Sequence, residues 1–177
     1  RSPIVRGIQK LSGQLGGLYN ARTEKMGYHA AAAAHLDGTY GPLNLQLQGT
    51  WFRHEPARPE GVRDDVVGMG AYDAPYLVAA DGTLLQANLS VEIPTHVDLL
   101  DSVTLYEDFS YLHKPDPDFS DSQQNVVGAL VAAGPLYTYF DVAAGRHHPW
   151  LGPSYKTALA PGAETDRWKV RYNINMG

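Results

Sequence analysis

In 177 residues, 14 Lys and Arg stand against 19 Asp and Glu, a net charge of −5, and no basic patch of the kind nucleic acid requires stands out. No run approaches the roughly 18 to 20 consecutive apolar residues of a membrane helix. With no cysteine, the chain has neither a disulfide framework nor a cysteine zinc site. It begins at Arg1 with no visible signal peptide, which reads as a mature or partial chain.

Short alternating segments separated by turn chemistry run through the chain, with no helical stripe longer than two turns, so the reading is all-β. Residues 4–19 are Gly-rich and weakly patterned, and read as a strand. Residues 26–36 contain an alanine run that propensity alone would allow to be helical. Its neighbours decide otherwise: it leads through a tight turn at 37–42 into 43–52, where Asn44, Gln46, Gln48 and Thr50 alternate with Leu43, Leu45, Leu47 and Trp51.

A long loop is expected over 55–82, its second half, 66–80, apolar enough to fold inward. Alternation resumes at 85–93, with Gln86, Asn88, Ser90 and Glu92 on the polar face. A short connection at 94–99 leads to a strand over 102–112 with Tyr106, Phe109 and Tyr111. A polar loop at 115–121, a Val/Ala strand at 123–133, a turn at Gly134-Pro135 and a strand at 136–144 follow, then a long loop over 146–166. The last segment, 167–177, is the clearest: Arg167, Lys169, Arg171, Asn173 and Asn175 share one face and Trp168, Val170, Tyr172, Ile174 and Met176 the other.

In a soluble sheet such an apolar face points to a core; in a transmembrane barrel it points to lipid while the polar face lines water. Loop lengths bear on the choice. The turns at 38–42, 94–99 and 134–135 fall at one end and the loops at 55–82, 115–121 and 146–166 at the other, the asymmetry of a membrane barrel. Trp51, Phe52, Phe109, Tyr111, Trp150, Trp168 and Tyr172 are expected near strand ends as interfacial girdles, and Tyr137, Tyr139 and Phe140 as the girdle at the short-turn end.

Segments 38–44, 100–111, 133–142 and 171–177 resemble the C-terminal half of porin-like outer-membrane proteins related to the phosphate-selective porins, and the resemblance covers about residue 26 to the end. It implies an antiparallel transmembrane β-barrel of about 16 strands, of which this chain supplies seven or eight as a single segment, 1–177. It further implies a bacterial outer membrane, contact with outer-membrane lipid, a homotrimer, and passive diffusion of small hydrophilic solutes or ions, without cofactor or enzyme chemistry. Phosphate specificity does not carry over, because the phosphate-binding Arg and Lys positions of that family find no match here.

Under the barrel reading His29, His35, Asn44, Gln46, Gln48, Gln86, Asn88, Glu92, Tyr106, Asp108, Arg167, Lys169 and Arg171 face water inside. The last three, at steps of about 7 Å, form a ladder that could draw anions; balanced by Glu92 and Asp108, the same ladder gives no preference. There is no nucleophile motif, zinc motif or phosphate loop. His29 and His35, about 20 Å apart on one strand, cannot share a metal, and His147-His148 and Asp64-Asp65 read first as solvated loop pairs. Two other functions stay open. One is a structural barrel in an envelope assembly, binding a partner through apolar loop residues at 66–80 and 150–159. The other is a soluble β-sandwich binding module, in which Leu43, Leu45, Leu47, Leu89 and Val91 would pack against a second sheet.

Overall fold

The computed structural model describes residues 6–71, 74–148 and 167–177, and among them there is no helix. In chain order the strands are β1 (Arg6–Asn20), β2 (Lys25–Tyr40), β3 (Leu43–Glu55), β4 (Val66–Ala71), β5 (Ala74–Ala79), β6 (Asp81–Val97), β7 (Leu100–His113), β8 (Ser122–Ala133), β9 (Leu136–Arg146) and β10 (Lys169–Met176). Eight of them form one sheet in the order β1-β2-β3-β6-β7-β8-β9-β10, and β4 and β5 form a hairpin of their own. Every pairing is antiparallel. Strands β1 and β10 are the two ends of the main sheet, and no ladder joins them among the described residues.

Strands outlast the alternation that signals them. The expected turn at 37–42 shrinks to Gly41-Pro42, because β2 stays paired with β3 as far as Tyr40 and Leu43. Asn44 holds the extension, donating from Nδ2 to Asp37 at 2.7 Å and to Thr39 at 3.2 Å. The connection expected at 94–99 likewise shrinks to Asp98-Leu99, with a register shift between Pro94 and Val97. A bulge is what a proline without an N–H needs in order to stay in a ladder. Gly41 and Gly134 both have φ 58° and open two-residue turns, the conformation that Gly at the first central position supplies.

All three two-residue turns therefore lie at one end of the sheet. At the other end stand the turn at 21–24, the segment from Pro56 to Ala80 that contains β4 and β5, the loop 114–121, and the connection from β9 to β10, of which 149–166 lies outside the described residues.

The loop expected over 55–82 is thus largely structured. Ala80 N–H donates to Asp65 O at 2.8 Å and His54 N–H to Ala80 O at 2.7 Å, clamping the hairpin to the end of β3. Val66, Tyr76, Ala79 and Ala80 are buried there, and with Ala143 they are the apolar residues that the fold buries among those described. Met69, Tyr76 and Leu77 share a cavity of about 270 Å³ with Leu84, Leu112 and Gln124 of the sheet. Those three sheet residues lie on the polar face, so the hairpin folds over that face at the long-loop end. This accounts for the apolar Leu84 and Leu112 on that face.

Candidate functional site

Register decides which side chains meet. Because side chains alternate with period two, residues directly opposite in a ladder share a face. Reading across the ladders, one row runs Lys10, His35, Gln48, Gln86, Ser110, Gln124, Gly145, Lys169. The next runs Asp37, Gln46, Asn88, Asp108, Val126, Ala143, Arg171, and the one after it Thr39, Asn44, Ser90, Tyr106, Gly128, Asp141, Asn173. His29 lies further up the same face of β2, opposite His54, and Glu92 further down that of β6, opposite Thr104.

Twelve of the thirteen expected residues thus fall on one face of one sheet; the thirteenth, Arg167, precedes β10 and has no ladder position. Sequence reasoning missed Lys10, Asp37, His54, Ser110, Gln124 and Asp141, which share this surface.

The face is knitted across strands. Gln48 donates from Nε2 to Gln86 Oε1 at 3.3 Å and to Thr50 at 3.2 Å. Asn88 donates to Asp108, and the Tyr106 hydroxyl to Asp141 on the strand beyond its neighbour. His29 stacks against His54 with ring centroids 5.6 Å apart. No group of three or more His, Cys, Asp or Glu placed to hold a metal occurs among the described residues. Charge is distributed: Lys10, Lys169 and Arg171 sit on the two end strands, Lys25 at the long-loop end of β2, and Asp37, Glu92, Asp108 and Asp141 on strands between the ends.

The opposite face carries Leu11, Leu15, Leu36, Leu45, Leu47, Leu85, Leu89, Leu105, Val127, Phe140, Val142, Val170 and Ile174, all exposed. The exposure is inverted relative to a soluble protein: Asn44, Gln46 and Gln48 are half-buried, while Leu45 is 42% exposed, Leu89 49% and Val127 57%. The second sheet that a sandwich would place over Leu43, Leu45, Leu47 and Leu89 is not found, because the hairpin, the other sheet among the described residues, lies on the polar side. At the long-loop end this apolar face gives way to charge, where Arg53 and Glu55 form an ion pair at 2.6 Å.

Five girdle assignments change. Phe52 pairs in register with Gly82 on the polar face, two residues on from Thr50, and its ring packs beside Gly82. Tyr137 and Tyr139 also share the parity of Asp141 on the polar face, leaving Phe140 outside. Phe109 and Tyr172 lie well inside β7 and β10 rather than at their ends. Trp150 lies outside the described residues. Trp51 stands four residues from the end of β3, as Phe109 does from that of β7, and Trp168 lies just before β10, with the Arg146 guanidinium 5.9 Å from its ring.

At the long-loop end Asp121 gathers three donors: the Tyr111 hydroxyl, His113 Nδ1 at 3.2 Å and the Lys114 N–H at 2.8 Å. Burial would raise its pKa, but these hydrogen bonds outweigh it and hold the carboxyl below its usual range. Lys114, 4% exposed, donates from Nζ to Ser120 O at 2.6 Å, and burial pushes its ammonium down to about 8 against the pull of Asp121. Asp64 and Asp65 part company: Arg63 grips Asp65 and holds its carboxyl low. No family model, curated protein or solved structure matches the chain.

Proposed function

We propose that this chain is part of the wall of a β-barrel pore in a bacterial outer membrane, through which small hydrophilic solutes diffuse passively. The observation that carries the reading is the exposure of the sheet's two faces: leucines and valines stand open along one, while on the other Asn44, Gln46, Gln48 and Asn88 are half-buried and Gln86, Glu92 and Asp108 exposed. In water an uncovered apolar surface of this extent would be an aggregation hazard; against hydrocarbon it is the ordinary outer wall of a barrel.

Strand length supports it, because β1, β2, β3, β6, β7, β8 and β9 have 11 to 17 residues and about 9 to 11 cross a bilayer. So does the division between two-residue turns at one end and longer connections at the other. In hydrocarbon every backbone N–H and C=O needs a partner, so the reading requires the edges of β1 and β10 to pair, with each other or with further strands. The resemblance to porins adds the outer membrane and a homotrimer to the proposal. A partner-binding role through 66–80 draws less support, since Val66, Tyr76, Ala79 and Ala80 are spent on packing the hairpin.

Lys169 and Arg171 do not stand alone on the polar face. With Asp37, Glu92, Asp108 and Asp141 sharing it, the pore selects weakly by charge. The test is the natural full-length protein, purified in detergent and added to planar bilayers under a salt gradient. Stepwise conductance with a small reversal potential is expected; solubility without detergent and no steps would overturn the reading.

A further inference from the structure

We infer that the middle of the polar face is a binding subsite for neutral polyhydroxylated solutes, sugars or polyols, rather than for phosphate or other anions. The inference rests on the pore reading and names its solute. Gln46, Gln48, Gln86, Asn88 and Gln124 line one hollow of about 410 Å³, a size in the range of small-molecule sites. A primary amide offers two donors and an acceptor, and a hydroxyl is likewise donor and acceptor, so a wall of amides matches a solute made of hydroxyls.

Electrostatics argue the same way. The charged side chain in the hollow is Asp108, which repels anions and is already bonded to Asn88. Of the cations of this face, Lys25 stands at the long-loop end of β2 and Lys10, Lys169 and Arg171 on the end strands, and none of these four lines the hollow. An anion entering here would lose hydration without meeting an opposite charge.

The experiment uses the natural full-length protein in planar bilayers, with maltotriose as the neutral probe and inorganic phosphate as the charged one. Maltotriose is expected to block single-channel current saturably and phosphate to produce no such block. Gln86→Leu, which removes one amide, is expected to raise the half-blocking concentration about tenfold. Since a leucine there could impair folding, Gln86→Glu, which keeps the size and polarity, is run beside it and is expected to weaken the block as well. Channels that phosphate blocks and maltotriose does not, or a maltotriose block unchanged in both variants, would overturn the solute assignment and leave the pore standing. If no channels form, the pore reading falls. Calorimetric titration of maltotriose into the detergent-solubilised protein then decides the site alone: heat that is lost in Gln86→Glu supports it, and no heat from the natural protein overturns it.

Discussion

Tyr106 on β7 donates its hydroxyl to Asp141 on β9, reaching over the strand between them at Gly128. The crossing is available because residue 128 has no side chain: a Cβ there would overlap the Tyr106 ring and the Asp141 carboxylate. Gly128→Ala is therefore expected to destabilise the sheet by about 1–3 kcal/mol through overpacking, and Tyr106→Phe by about 1–2 kcal/mol by leaving Asp141 without its donor. In a Tyr106→Ala background the cost of Gly128→Ala should fall, since the Asp141 carboxylate alone then meets the added methyl, a coupling that urea unfolding in detergent would read as non-additivity.

Glu107 stands on the apolar face, opposite Leu89 and Val127, with Asn125 Nδ2 donating to its Oε1 at 3.3 Å. A carboxylate facing hydrocarbon is costly even with one donor. Glu107→Leu is expected to raise stability in lipid vesicles by about 1–2 kcal/mol. An unchanged or lowered stability in the same urea titration would place this part of the surface in water or against protein.

Leu99, 90% exposed, holds φ 71° in the turn between β6 and β7. The left-handed region costs a side chain about 1–2 kcal/mol, and nothing packs on Leu99 to offset it. Allowing for the greater backbone freedom of glycine in the unfolded chain, Leu99→Gly should gain about 0.5–1 kcal/mol, measured as a shift in the unfolding midpoint.

Lys114 gives a pH dependence of definite sign. Its pKa is about 8 in the folded chain against an ordinary 10.5, so between those values the unfolded chain binds more protons and stability rises with pH. Below about 8 the full cost of burying the ammonium is present. The 114–121 loop is expected to show greater hydrogen-exchange protection at pH 10 than at pH 7, after correction for intrinsic rates. Lys114→Met should flatten that difference. Asp121 contributes with the opposite charge: its carboxyl is held low, so its stabilisation is present above the unfolded value and is lost as pH falls through the folded one.

The fold was legible wherever one face differs from the other. Asn44-Leu45-Gln46-Leu47-Gln48 announces both a strand and its two sides, and the polar set derived from such stretches meets in adjacent rows. Lys10 was missed because Gly13, Gly16 and Gly17 blur the alternation of β1, and Asp141 because its neighbours Tyr139 and Ala143 obscure which side of β9 is polar. Gln124 lay in a segment that reads as Val and Ala. The β4–β5 hairpin gave no period, since its burial comes from folding onto the sheet rather than from facing one side. Phe52 misled for a related reason: an aromatic near a strand end suggests an interface, yet counting by two from Gln48 puts it on the polar side, beside Gly82.

Which face is wet is the claim on which the account stands, and the absence of cysteine from the chain makes it directly measurable. Single substitutions Leu45→Cys, Gln46→Cys, Leu47→Cys and Gln48→Cys would be treated in lipid vesicles with a charged, membrane-impermeant thiol reagent. In parallel they would be labelled in detergent with bimane, reconstituted, and exposed to brominated acyl chains as quenchers. The account predicts reaction with the charged reagent at 46 and 48, and quenching by brominated lipid at 45 and 47. Equal reactivity at all four positions with no quenching at 45 and 47 would contradict it and return the sheet to water.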